Sequence, residues 1–312
     1  MKHHACQRFS NIAKFLTLGF VWGASFLLIK YALIGLSHPQ VGLLRLSIGG
    51  LTLSLLALST GRPWPTQIRQ LCALCLVSIF MFVLPVSLYS WSGQFIPSAL
   101  SATLNATTPI MTIIVTALGL SVERPSQRQF GGVAISAVGI ILTFQPWSLE
   151  GAAFNQTILL AMLACLGSTL CYAIAYALMS LLLSDEMQRR HRSKPIDAVS
   201  GTCVQLICAS IICLMVSSFN GFWNRSPQWK PEVIVSILIL GALSTGYGYF
   251  LNTQLTKDIG PVKTSQVTYV TPVVGVILGR ILLGEAISVT QILGGLIILS
   301  GIWVTQIRNR ER

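Results

Sequence analysis

Runs of about twenty apolar residues, the length a helix needs to cross a hydrocarbon core, recur along this chain. Ten of them lie near 14–34, 39–59, 68–92, 97–120, 127–145, 156–183, 197–219, 232–256, 261–284 and 289–307. A backbone placed in lipid must pair its own N–H and C=O groups, so these runs predict helices. Composition agrees: 53% of the residues are hydrophobic and 10% charged, against about 25% charged in an average soluble domain. The first run follows Lys2, Arg8 and Lys14 but is too long for a signal-peptide core, and nine spans come after it. It is therefore expected to remain in the mature protein.

The net charge of +12 would suit a nucleic-acid partner, but the placement of the cations points elsewhere. With a cytoplasmic N-terminus, sixteen lysines and arginines fall in cytoplasmic segments and only Arg225 and Lys230 in exterior loops. That bias favours ten spans with both termini in the cytoplasm, a lipid bilayer as the partner and no nucleic acid. Only Lys30, Arg45 and Arg280 lie inside spans.

The chain writes one segment twice. "VERPSQRQFGGVAISAVG" (122–139) and "GEAISVTQILGGLIILSG" (284–301) match without a gap at Glu123/Glu285, Ser126/Ser288, Gln129/Gln291, Gly132/Gly294, Ile135/Ile297 and Gly139/Gly301. Ser followed three residues later by Gln is a capping box, so each copy opens a helix. The paired glycines are seven residues apart and share a face where another helix can approach closely. Thr108-Pro109 and Thr271-Pro272 extend the match upstream. Five crossings separate the copies, an odd number, so the second copy is inverted relative to the first. The expected fold is all-α and integral to the membrane: ten transmembrane helices as two inverted five-helix repeats, 1–150 and 151–312. The charged link "SDEMQRRHRSKPID" (184–197) is where the halves match least, and it is read as a solvated loop.

Catalytic and metal chemistry find little support. All four histidines lie at chain ends or in loops and no Asp or Glu lies well inside a span, so a membrane-embedded acid/base pair or hydrolytic nucleophile lacks its partner. Cys72 and Cys75 form a CxxC in an apolar helix without a second pair or a His, so no metal, cofactor or disulfide is expected. The triplets at 155–157 and 224–226 fit a glycosylation pattern, which short triplets also match by chance.

Polar and aromatic residues at membrane depth are the candidates for a substrate pathway. Trp22, Phe26 and Lys30 lie on one stripe of the first span with Ser25 beside it, and Arg45 sits in the exterior half of the second. A cation there either snorkels to the headgroups or faces a water-filled cavity. Arg280 is within reach of Glu285 and reads as a local pair. Tyr89 and Trp91 on the third span, and Tyr249 and Asn252 in "STGYGYFLNTQ" on the eighth, extend the polar band. Pro109 and Pro272, near the middle of spans four and nine, cannot bond the carbonyls of Asn105 and Thr268 four residues back. Those carbonyls need another donor, a water or a ligand. Asn105 and Thr108 surround one loosened turn, and Gln266, Thr268 and Tyr269 the other, which marks a candidate binding site.

"WGASFLLIKYAL", the Arg of "LLRLSIGG", the two Thr-Pro helices and the "LLGE" that ends span nine resemble the ten-helix drug/metabolite transporter superfamily, EamA type, over nearly the whole chain. The resemblance implies alternating access between two halves in a bacterial inner (plasma) membrane and a small-molecule substrate, with amino-acid export favoured and a homodimer left open. Small multidrug pumps of related design rely on a membrane carboxylate, as the resemblance also implies, and none is present here, which argues against lipophilic cations. Uptake of an anionic metabolite through Lys30 and Arg45 is the alternative within transport. A non-transporting scaffold, or an enzyme, is the alternative outside it.

Overall fold

Helices form where the apolar runs are. The computed structural model describes residues 2–96, 98–121, 125–144, 156–184, 195–219, 226–283 and 289–306, and the regular structure among these is helical. We label the helical rods α1 (Lys2–Gly35), α2 (His38–Ser59), α3 (Ile68–Ser92), α4 (98–120) and α5 (Gln127–Phe144). The remainder are α6 (Gln156–Leu182), α7 (Ala198–Phe219), α8 (Pro231–Ile259), α9 (261–283) and α10 (Val289–Gln306). Their bounds lie within a few residues of the apolar runs, except that α1 begins at Lys2, well before the run does. Among the described residues, seven helices are long and apolar enough to cross a membrane: α1, α2, α3, α4, α6, α7 and α8. α10 carries a shorter apolar stretch, Ile292–Thr305.

The distribution of polarity inverts that of a soluble protein. Leu118 and Ile281 are 75% and 70% exposed, and Leu296, Leu299 and Trp303 turn outward along α10. Such apolar surface is stable against lipid and not against water. Inside lie Thr108, Thr112, Thr116, Ser168, Thr169, Thr202, Gln205 and Gln266, all nearly or fully buried. Hydrogen bonds satisfy most of them, typically from a Thr or Ser hydroxyl to a carbonyl three or four residues back, as in Thr112 to Thr108 O and Thr116 to Thr112 O.

The duplicated segment folds into a pair of touching helices. α5 starts in the expected capping box: Ser126 N donates to Gln129 Oε1 at 2.7 Å and Gln129 N to Ser126 Oγ at 3.3 Å. Glu123, Glu285 and Ser288, the loop 185–194 and residues 155 and 224 lie outside the described residues, as do the side chains of Arg280 and Gln291. α5 packs against α10 through the repeated glycines. A Cβ added at Gly132 would stand 2.6 Å from Gly301 O, and one at Gly139 would stand 2.6 Å from Gly294 O. Gly132 meets the later glycine and Gly139 the earlier one, so the two helices run antiparallel.

Four rods are irregular, each for a local reason. α3 opens into a π-helical turn at Ile79–Val83, just before Pro85, which offers no N–H to Met81 O. α8 is π-helical over Ile239–Tyr247, a stretch rich in glycine. Against it α2 passes so closely that a Cβ at Gly49 would lie 3.0 Å from Gly241 O. α4 breaks at Ala106 and Thr107, before Pro109, and α9 tightens to a 3-10 turn at Gln266–Tyr269, before Pro272. Among the described residues two ion pairs occur, Lys14 with Asp258 at 3.3 Å and Arg62 with Asp197 at 3.4 Å.

Candidate functional site

The irregular rods converge on one cavity. Trp22, Ser25, Phe26 and Ile29 of α1 line it with Arg45 of α2, Val86 and Tyr89 of α3, and Asn105 and Thr108 of α4. Tyr172 and Tyr176 of α6, Tyr249 of α8 and Thr268 of α9 complete the wall. It encloses about 520 Å³ of space when its open side is counted. Among the described residues no carboxylate lines it.

Among the described lining residues, Arg45 supplies the only formal charge. The residue is 7% exposed, so the guanidinium does not reach outward to the headgroups. Its Nε donates to Thr245 Oγ1 at 3.1 Å, and Thr245 donates in turn to Leu240 O at 2.8 Å, five residues back. That reach of five residues belongs to the π-helical stretch of α8. Because the Thr245 proton goes to Leu240 O, its oxygen faces Arg45 as an acceptor and fixes the inner end of the guanidinium. Neither ion pair among the described residues involves Arg45. A buried cation is costly without a partner, and a carboxylate on a solute would supply one with paired, charge-assisted hydrogen bonds.

Aromatic rings form the walls around that charge. Trp22 packs on Tyr249 with centroids 5.0 Å apart, Phe26 meets Tyr89 edge-on at 5.7 Å, and Tyr89 stacks with Tyr172 at 6.3 Å. Their polar tips are tied together: Tyr172 and Tyr249 hydroxyls share a hydrogen bond of 3.1 Å, and Tyr89 donates to Asn105 Oδ1 at 3.0 Å. Tyr176 donates to Asn252 Oδ1 at 2.8 Å, and Trp22 Nε1 to Ser244 O at 3.1 Å. These bonds link helices of both halves of the chain around the cavity.

The two Thr-Pro turns face each other, with Thr271 Oγ1 3.4 Å from Ala102 O. Of the partners expected for their loosened carbonyls, both turns use a neighbouring side chain. Thr108 Oγ1 donates to Asn105 O at 2.6 Å, and Thr271 Oγ1 donates to Thr268 O at 2.7 Å. In both turns the threonine preceding the proline closes the carbonyl that the proline leaves open.

A model of the EamA-like transporter family matches residues 10–145 and again 159–307. The chain belongs to that family. Relatives of this EamA-like transporter include the uncharacterized transporter YoaV of Bacillus subtilis, 24% identical over 91% of this chain and 92% of YoaV. The uncharacterized inner membrane transporter YedA of Escherichia coli K12 is 24% identical over 91% of this chain and 87% of its own. A crystal structure superposes with a TM-score of 0.72 at 14% identity, covering 95% of this chain and 96% of that one, a likeness of fold. The protein is thus an integral membrane protein of a transporter family.

Of the residues that the sequence singles out in this EamA-like transporter, Trp22, Ser25, Arg45, Tyr89, Asn105, Thr108, Tyr249 and Thr268 meet at the cavity. Lys30 does not. Eight residues along a helix turn a side chain about 80° from the starting stripe, whereas seven bring it back to within about 20°, so Ile29 takes the place assigned to Lys30. Trp91 also falls outside: two residues from Tyr89 it points to the other side of α3, where its ring packs 5.0 Å from Phe95. Asn252 sits behind the wall and holds Tyr176. Gln266 accepts from Thr305 of α10, and the Tyr269 hydroxyl reaches Val133 O of α5 at 3.4 Å. Both therefore tie α9 to its neighbours. Pro109 and Pro272 are buried and shape the turns without lining the cavity. Phe26 was legible as part of the Trp22 stripe, but Val86, Tyr172 and Tyr176 were not singled out. For the tyrosines the signal was their i, i+4 spacing in "CYAIAYAL", two hydroxyls on one face of an otherwise apolar helix.

Proposed function

We propose that this chain is a ten-span transporter of two inverted repeats that moves small carboxylate-bearing metabolites by alternating access, with amino-acid export as the favoured case. The observation that carries the substrate class is Arg45: a buried guanidinium at an aromatic cavity, with no carboxylate beside it among the described residues. The double match of one family model and the antiparallel pairing of α5 with α10 support the inverted repeat. The inner-membrane name of YedA supports an inner-membrane location, and the lysine and arginine bias favours both termini in the cytoplasm. In that topology Lys14–Asp258 and Arg62–Asp197 each join the first repeat to the second at the cytoplasmic face.

The topology has a direct test. A reporter fused after Arg312 and another inserted between Met187 and Pro195 are both expected on the cytoplasmic side. An exterior signal from either one rules out the ten-span inverted arrangement.

A further inference from the structure

Helices of the two halves of the chain interlock rather than stand apart. α1 and α2 of the first half are fitted onto α8 and α9 of the second. A Cβ at Gly19 would stand 2.7 Å from Val270 Cβ and one at Gly23 2.6 Å from Val274 Cβ, so α1 has no room to slide on α9. On α2, a Cβ at Gly49 would lie 3.0 Å from both Gly241 O and Gly246 N of α8. Hydrogen bonds run the same way: Trp22 Nε1 donates to Ser244 O at 3.1 Å, and Gln228 N, just before α8, donates to Gly35 O at 2.9 Å. Leu36 and Val41 share a buried cluster with Val233, Ile237 and Leu240.

A second mixed group stands opposite. Ser92 Oγ of α3 lies 3.2 Å from Cys165 Sγ of α6, Thr107 Oγ1 of α4 lies 3.2 Å from Thr169 Oγ1 of α6, and Val115 clusters with Ala173 and Ala177. α7 lies along α3, where the thiols of Cys75 and Cys208 share a hydrogen bond. The cavity follows the seam between the groups: Trp22, Arg45, Tyr249 and Thr268 line one side, Tyr89 and Tyr172 the other. Across that seam α2 meets α7 with a slacker fit. A Cβ at Gly50 would stand 3.5 Å from Leu206 Cβ, an ordinary contact distance, although the adjacent Gly49 is closed against α8. Contacts with no space for a Cβ hold helices together, whereas ordinary contacts can part. We infer that the bodies that move in transport are not the two halves of the sequence but two mixed groups, α1–α2–α8–α9 and α3–α4–α6–α7, which separate at the α2–α7 contact. This inference rests on the alternating-access reading proposed above. In the proposed topology Ser54 and Cys203 lie in the cytoplasmic parts of α2 and α7, so separation there opens the route to that side.

Two native cysteines supply the test. Ser54 Oγ lies 3.0 Å from Cys203 Sγ across the α2–α7 contact, and Ser92 Oγ lies 3.2 Å from Cys165 Sγ inside the second group. Ser54→Cys and Ser92→Cys therefore each bring a thiol within reach of a disulfide, and both disulfides join the first half of the chain to the second. Each full-length variant, in a Cys75→Ser background, is reconstituted in liposomes and oxidised with iodine, which takes two electrons from the thiol pair while two protons pass to water. Peptide mapping confirms the bond, and counterflow of a labelled mixture of the protein-building L-amino acids is measured before and after. Oxidised Ser54→Cys should fall to the level of empty liposomes and recover with dithiothreitol, whereas oxidised Ser92→Cys should keep its reduced rate. Loss of flux in both would mean that the halves of the sequence move as blocks, and a full rate in oxidised Ser54→Cys would mean that α2 and α7 stay together. Either result overturns the mixed groups, and so does failure of either bond to form, since it contradicts the contact that the bond spans. No counterflow by the untreated wild type contradicts the transport reading itself, and the moving groups fall with it.

Discussion

Replacing Gly139 with leucine is expected to separate α5 from α10 and leave little folded protein. At this crossing the obstacle is backbone: a Cβ at Gly139 would stand 2.6 Å from Gly294 O and 2.7 Å from Ile298 N. A carbonyl and an amide inside a helix cannot swing aside as the tip of a side chain can, so the whole rod has to move. Inserting extra methylenes into a filled contact costs about 1–3 kcal/mol in general, and an added isobutyl group here lies at or above the top of that range. Gly139→Ala should already lower the melting temperature of the purified protein. Gly131→Ala and Gly295→Ala are the controls, because a Cβ at Gly131 meets nothing within 4 Å and one at Gly295 has its nearest neighbour, Val273 Cγ2, at 3.9 Å. Both should melt like the wild type. Equal melting of Gly139→Leu and the controls would mean that the duplicated segments do not pack on each other.

Arg45→Gln is expected to weaken binding of a carboxylate-bearing ligand by roughly ten- to a hundredfold while the protein remains folded. Hydrogen bonds between ionised partners contribute about 1.5–3 kcal/mol each, and the glutamine amide replaces them with one neutral donor. Removing the charge also removes the cost of holding it at 7% exposure, so stability should hold or rise. Arg45→Lys should not restore affinity, because an ammonium lacks the planar fork that grips both oxygens of a carboxylate. Thr245→Val should have a smaller effect of the same sign, since it frees the Nε that Thr245 Oγ1 holds at 3.1 Å. Titration calorimetry on the purified variants measures all three. An unchanged dissociation constant for Arg45→Gln would assign the guanidinium to structure alone.

The rods were legible in the sequence and their interior contacts were not, for a physical reason. A helix boundary in lipid depends on the length of an apolar run and on local caps, so Ser126 and Gln129 announce the start of α5 in four residues. Proline likewise announces a local break, and both Thr-Pro turns are loosened where expected. The closing of those turns was also local, since a threonine three residues along can reach back to the open carbonyl, and the reading left the choice open among such a donor, a water and a ligand. Lys30 and Trp91 were misplaced by helical phase, Lys30 by one residue and Trp91 by about half a turn from Tyr89. Arg45 is different. Its partner Thr245 lies 200 residues away, and no local pattern tells that a π-helical stretch will turn that hydroxyl toward α2. Tyr172 and Tyr176 pass for packing on α6 until α8 brings Tyr249 and Asn252 to them.

The central claim is that solute crosses the membrane through the cavity at Arg45. Proteoliposomes loaded with an unlabelled L-amino acid that binds the purified protein, and diluted into a trace of the same labelled compound, measure this by counterflow. The wild type should accumulate label transiently, and Arg45→Gln, reconstituted to the same density, should accumulate no more than empty liposomes. Counterflow by Arg45→Gln at the wild-type rate, or none by either protein above empty liposomes, would contradict the account.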